Sequence, residues 1–344
     1  MTRAASRESG LRALLEDGRA AGAFTQGHAW VAHDGSPVAQ AHTEGVTPES
    51  LWDVASLTKP MATVTEVMRA VGDGVMTLDE RVQSPSGLDT TVRALLAHRS
   101  GLPAWDDLWA IAEHKTPGWR PGTATVKAAI AERIGELAGS ESGTRYSDLG
   151  FISLGWHLEA RRQASLNRLV TRWCWGLPPG APGRGRAVPT GHCPRRLRQA
   201  HGEVDDLNAW VLGGIAGHAG LFATANEVGQ WALGLSNSAA GRGGMIDGGV
   251  IREFWDLSNR ADASTTWVLG WDTPTPPNST AGARVSKDAV GHLGFTGTSV
   301  WIDRAHDLIV VLLTDRVALG APSKAVMRGF RPRFHDGVRD LLGL

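Results

Sequence analysis

The chain has 344 residues, of which 42% are hydrophobic and 20% charged, and its formal net charge is zero. These are the proportions of an ordinary globular protein, with enough length for one large domain or two modest ones. A neutral chain sets up no long-range field that favours nucleic acid or an acidic membrane surface, and its longest clean apolar run, 308–313, is far too short to span a bilayer.

Residues 1–22 contain no apolar core segment, and Glu8, Glu16 and Asp17 interrupt them. They predict an exposed amphipathic helix with Leu11, Leu14 and Leu15 on one face, not a secretory leader, and a cytoplasmic address. Residues 28–45 alternate well enough for two strands around an Asp34-Gly35 turn. Met61, Val64, Met68 and Val71 then recur at helical spacing until Gly-Asp-Gly at 72–74 closes the element. Ser56 is therefore expected at or just before a helix N-terminus, with Lys59 one turn along on the same face. Pro60 falls in or just past the first turn, where a missing N–H costs least.

From about 88 to 260 the pattern is of helices and long loops. Helices are expected within 89–103, 123–139 and 226–236, and the Pro-, Gly- and Arg-rich stretch 176–196 reads as a loop. Tyr146 falls just before a further amphipathic helix, for which Asp148 is a candidate cap. Strands return at 265–271, 298–303 and 307–315, the last two joined tightly through 304–306, and a terminal helix begins at Ser323. The sequence predicts a sheet domain built from 1–72 and 262–344, interrupted by a mostly helical domain at 73–261, with a cleft between them.

Two scarcities point to chemistry. Only five of the thirty-five basic residues are lysines, and Tyr146 is the one tyrosine beside fourteen tryptophans and seven phenylalanines. Arginine stays protonated in proteins, whereas a well-placed lysine or phenol can give up its proton. Lys59 follows Ser56 by three residues, the S-x-x-K spacing of a hydroxyl nucleophile and its amine partner. A helix start at the serine adds free N–H groups and partial positive charge, which suit a developing oxyanion. The bland alternative is a helix-start serine followed by a surface lysine, and for Tyr146 a buried phenol with a satisfied hydroxyl. In residues 291–303 the glycines permit close backbone approach along an edge strand, and His292 is a candidate to act on substrate or a structural histidine.

Other chemistries find less support. No G-x-S-x-G elbow is present. The glycines at 213–220 lack the strand-before, helix-after setting of a dinucleotide site and fit better as a loop lining the cleft, so no organic cofactor is expected. His192, Cys193 and His201 lack zinc-site spacing, so no metal is expected, and two cysteines, Cys174 and Cys193, do not suggest a disulfide framework. Arg184, Arg186, Arg195, Arg196 and Arg198 lack the interleaved aromatics of a nucleic-acid platform. Trp105, Trp109 and Trp119 either wall an acyl pocket or simply pack.

The motifs SLWDVASLTKPMAT, LLAHRSGLPAW, RYSDLGFISLG, GGIAGHAGLFATANEV, LGWDTP and GHLGFTGTSVWID occur in this order from about residue 50 to 315. Together they resemble the serine β-lactamase and penicillin-binding-protein superfamily, in the branch that holds class C β-lactamases, D-Ala-D-Ala carboxypeptidases, related esterases and some muropeptide amidases. The resemblance implies a β-lactamase/transpeptidase-like α+β fold, an antiparallel sheet flanked by helices with an inserted mostly helical domain. It implies Ser56 as an acylated nucleophile, Lys59 and Tyr146 sharing its proton, and an oxyanion held by the N–H groups of Ser56 and Phe295, beside Gly294.

Two departures from the family pattern narrow the substrate. Asp148 stands where the tyrosine motif usually has an asparagine, and an ionised carboxylate accepts only and repels anions. His292-Leu293-Gly294 replaces Lys-Thr-Gly, which removes a cation and a hydroxyl suited to a substrate carboxylate. The expected activity is hydrolysis of a small ester, or a related amide or lactone. The alternatives are an amidase or peptidase on cell-wall muropeptides, β-lactamase activity, or a binding protein on the same scaffold.

Overall fold

The computed structural model describes residues 3–116, 118–275 and 279–344. Its largest sheet has five antiparallel strands: β1 (Gly27–His33), β2 (Ser36–His42), β3 (Val290–Leu293), β4 (Ser299–Asp303) and β5 (Leu308–Thr314), in the order β2-β1-β5-β4-β3. The first hairpin turns at Asp34 and Gly35, whose φ angles of 52° and 72° are those of a tight turn matched to strand twist. The central strand β5 is apolar without alternation because both of its faces are covered. Leu308, Val310 and Leu312 face one core, and Ile309, Val311 and Leu313 face the other.

The first core is closed by the N-terminal helix Arg3–Ala20 and the terminal helix Ser323–Leu342, which contribute Leu11, Leu15, Phe330, Phe334 and Val338. The N-terminal helix is therefore not the exposed one expected from its charges. Its leucine stripe, Leu11 and Leu15 at 1% and 0% exposure, seals one face of the sheet. The second core is covered by the helix Ala225–Ala239, which starts on a Thr224–Glu227 capping box. Trp231 from this helix stacks on Trp271 at 5.7 Å, and Gly229 lies directly against the Trp30 indole of β1.

The middle of the chain is helical, as expected, with helices at Ala124–Glu136 and Asp148–Arg162 among others. It also holds a small sheet that the sequence did not signal, because its strands are two or three residues long. Leu221–Ala223 pairs on one side with Trp52–Asp53 and on the other with Cys174–Trp175. This sheet ties the segment before Ser56 to the glycine-rich loop 213–220. The expected strand at 265–271 forms instead a narrow loop, with bridges from Trp267 to Asp272 and from Asp272 to Gly291 at the edge of β3.

The contact between Gly229 and Trp30 leaves no room for a side chain. Gly229→Ala gains about 1 kcal/mol of helix propensity, but the methyl overlaps a rigid, buried indole, and overpacking costs about 1–3 kcal/mol. A net loss of stability is expected in urea unfolding, at unchanged m-value; an equal or higher midpoint would contradict this packing.

Candidate active site

Ser56 lies in a 3₁₀ turn, Ala55–Leu57, that runs into the π-helical segment Lys59–Val64 and then the helix Thr65–Gly72. The residue before it, Ala55, has φ +49°, a left-handed conformation that costs an L-residue about 1–2 kcal/mol. Asp53 holds this turn: one carboxylate oxygen accepts the Ala55 N–H at 2.8 Å and the other accepts the Asp205 N–H at 2.6 Å. Ser56 is half-buried, facing a cavity of about 670 Å³.

Lys59 is fully buried beneath the serine. Its Nζ donates to Ser56 Oγ at 3.1 Å, to Asp148 Oδ1 at 2.6 Å and to the His218 carbonyl at 3.4 Å. Tyr146, ninety residues from Ser56 in sequence, brings its phenol to the same point and interacts with both Lys59 and Ser56. The Lys59 ammonium sits 4.8 Å from the centre of the Tyr146 ring. The predicted trio of Ser56, Lys59 and Tyr146 thus converges on one point of the cavity wall.

The protonation states follow from the neighbours. Burial opposes the Lys59 charge, but the Asp148 carboxylate and Tyr146 outweigh it and hold the ammonium above the ordinary lysine range. Burial pushes the Tyr146 phenol up to about 12, and the Asp148 charge adds to this, against the pull of Lys59 and the hydrogen bonds from Lys59 and Ser56. At neutral pH the resting site therefore carries both protons.

Asp148 does not cap its helix. Ser147 is the cap, its Oγ accepting the Gly150 N–H at 3.1 Å, and Asp148 is the first helical residue. That position frees its carboxylate to turn toward Lys59, where an amide would carry no charge. His98 supports the turn: its Nδ1 accepts the Ser147 N–H at 3.1 Å, and its ring packs on Tyr146 at 4.7 Å and Trp267 at 4.5 Å.

The opposite wall is the turn that follows β3. Gly294 donates to the Thr298 carbonyl at 2.8 Å, and a Cβ at Gly294 would overlap the Thr298 hydroxyl. Thr296 and Thr298 donate their hydroxyls to the carbonyls of Asp53 (2.9 Å) and Val54 (3.1 Å), which fastens this turn to the Ser56 turn. Arg316 donates twice to the Phe295 carbonyl, at 2.8 and 2.5 Å, and Arg331 donates to the carbonyls of Gly294 and Thr298 at 3.1 Å each. The Phe295 N–H has no acceptor among the described residues, and the first turn of a helix leaves the N–H at Ser56 without an intrahelical one. An oxyanion between Ser56 and Phe295 would meet two such donors. The sequence did not single out Thr296, Thr298, Arg316 or Arg331; the closely spaced threonines in FTGTS were the available signal.

His292 is 1% exposed and lines the cavity, with Nδ1 against the Leu293 carbonyl at 2.8 Å. Burial first, and the Lys59 charge second, lower its pKa to about 3, so the ring is neutral. Trp105, half exposed, also lines the cavity. Trp109 instead packs edge-to-face on Trp119, and Trp119 on Trp210. Among the described residues no helix is long and apolar enough to cross a membrane.

The fold and the motif order have relatives. The Beta-lactamase family model matches residues 11–326. A Salmonella typhi protein named as a D-alanyl-D-alanine carboxypeptidase is 25% identical over 324 residues, covering 83% of this chain and 73% of its own length. The solved structure of EstCE1, a hydrolase with promiscuous acyltransferase activity, superposes with a TM-score of 0.70 at 16% identity over 97% of this chain and 99% of that one. A class C β-lactamase from Rhodobacter sphaeroides gives a TM-score of 0.65 at 16% identity over 95% of this chain and 99% of its own. With a β-lactamase/transpeptidase-like fold and a family match across most of its length, the chain belongs to the Beta-lactamase family of serine hydrolase relatives.

Proposed function

We propose that this protein hydrolyses a small ester, or a related amide or lactone, through an acyl-Ser56 intermediate. The observation that carries the reading is the placement of Lys59 Nζ 3.1 Å from Ser56 Oγ on the wall of a cavity, with the Tyr146 phenol against both. In the form of the site that has lost one of its resting protons, Ser56 Oγ attacks the acyl carbon as its own proton passes to the Lys59–Tyr146 pair, and the carbonyl oxygen takes the negative charge between the N–H groups of Ser56 and Phe295. The pair returns the proton to the departing alkoxide, leaving the acyl-enzyme. Water then attacks the acyl carbon, gives its proton to the pair, and Ser56 leaves with that proton as the acid is released. No step calls on a metal or an organic cofactor.

The cavity argues against a carboxylate-bearing substrate. The Lys59 charge is neutralised by Asp148, and the residue at the family's usual lysine position is the neutral His292. An ester substrate therefore fits better than a β-lactam or a peptide with a free C-terminal carboxylate. The division of labour between a sheet unit (1–72 and 262–344) and a helical unit (73–261) is part of the same proposal, as is a cytoplasmic setting.

Ser56→Ala is expected to cut turnover of short p-nitrophenyl esters by about four orders of magnitude or more while leaving the circular dichroism spectrum unchanged. Activity equal to the parent protein would refute the assignment.

The pH profile provides a second test. Reaction needs the Lys59–Tyr146 pair to have one proton fewer than at rest, so kcat/KM is expected to rise with pH through the neutral and mildly alkaline range. Asp148 favours the protonated form of both groups. Removing its charge in Asp148→Asn lowers both pKa values, so the rising limb is expected to move to lower pH. A limb that stays in place, or moves up, would contradict the role given to this carboxylate.

A further inference from the structure

A second cavity, of about 180 Å³, lies between the helix Asp148–Arg162 and the glycine-rich loop, and it shares no lining residue with the cavity at Ser56. Ile152, Leu166, Leu212 and Ile215 supply its apolar wall. An apolar space of roughly 150 Å³ is enough to hold benzene, so this one takes a phenyl-sized group. It adjoins a wider groove of about 790 Å³, with which it shares Lys127, Trp156, Glu159 and Ser165. Polar and charged groups therefore gather at the junction, and the apolar ones lie within.

The junction has a surplus of positive charge. Lys127 Nζ lies 3.2 Å from Glu159 Oε2 and 5.4 Å from the centre of the Trp156 ring. The other Glu159 oxygen accepts the Leu166 N–H at 2.9 Å, so that carboxylate is engaged at both oxygens. Arg168, on the groove wall, is exposed and has no ion pair among the described residues. Two cations thus face the groove against one anion. A protonated amine would meet like charge here, whereas a carboxylate can take paired hydrogen bonds from the Arg168 guanidinium. On the inner wall, Gly217 gives its carbonyl to the Thr63 hydroxyl at 2.6 Å, and the next residue, His218, gives its carbonyl to Lys59. An occupant would rest one residue away from the backbone that holds the buried ammonium.

We propose that this cavity is a second small-molecule site, for a carboxylate with a phenyl-sized apolar group. The apolar group fills the space against Ile152 and Ile215, and the carboxylate meets Arg168 in the adjoining groove. The proposal stands apart from the acyl-hydrolase reading, and its test needs no turnover. Isothermal titration calorimetry at neutral pH compares 3-phenylpropionate with the neutral 3-phenylpropionamide. The carboxylate is expected to bind at least fivefold more tightly than the amide. In Arg168→Gln, which alters an exposed side chain, that preference is expected to fall below about twofold. In Ile215→Trp, which fills the inner space, binding of the carboxylate is expected to weaken at least tenfold. Equal or tighter binding of the amide, no binding of either compound at millimolar concentration, or an affinity for the carboxylate that is unchanged in either variant would overturn the proposal. Should Ile215→Trp fold poorly, the Arg168→Gln comparison decides alone. Binding in the Ser56 cavity instead would show itself as indifference to both changes.

Discussion

A buried ammonium organises this site. Taking a lysine charge out of water costs several kcal/mol unless a partner repays it, and Lys59 is fully buried. Asp148 supplies the partner at 2.6 Å, and the His218 carbonyl and Ser56 hydroxyl accept the remaining hydrogens. Each acceptor comes from a different part of the chain, so the charge gathers the Ser56 turn, the helix at 148–162 and the glycine-rich loop into one place. An amide at position 148 would accept a hydrogen bond but contribute no counter-charge. The departure from the family's usual asparagine is therefore a change in the electrostatics of the nucleophile, with the pair of exchangeable protons held more firmly than it would otherwise be.

Around that centre the backbone is held in conformations it would not choose. Ala55 sits at positive φ, and its N–H is fixed by Asp53. Across the cavity, two buried arginines and two threonine hydroxyls fix the peptide groups of 294–298 against Asp53 and Val54. Such strain persists only where the surroundings over-determine it. Here the restraints come from residues far apart in sequence, Asp53 on one side and Thr296, Thr298, Arg316 and Arg331 on the other.

Much of this was legible in the sequence, for reasons that differ by element. The hairpin at Asp34-Gly35 and the strands β4 and β5 announce themselves through turn chemistry and apolar runs, and the helix expected within 226–236 forms at Ala225–Ala239. The scarcity of lysine and tyrosine picked out Lys59 and Tyr146, and both side chains lie at Ser56. Other features had no local signal. Leu11 and Leu15 looked like a surface stripe because nothing in residues 3–20 says that the terminal helix and sheet cover it. Ser147 and Asp148 are both good caps, and only the position of Lys59 decides between them. The strand expected at 265–271 fails because Trp267 and Trp271 serve different surfaces, one the cavity and one the core. Arg316 and Arg331 were invisible because their partners are backbone carbonyls far away in sequence.

The most direct measurement of the buried pair is the rate at which a fluorophosphonate labels the protein, with the adduct mapped by peptide mass spectrometry. A serine whose hydroxyl meets Lys59 and Tyr146 should take the label at Ser56, and Lys59→Met, folded by circular dichroism, should react at least a hundredfold more slowly. Labelling at another residue, or a Lys59→Met protein that reacts at the parent rate, would show that the ammonium under Ser56 does not activate it.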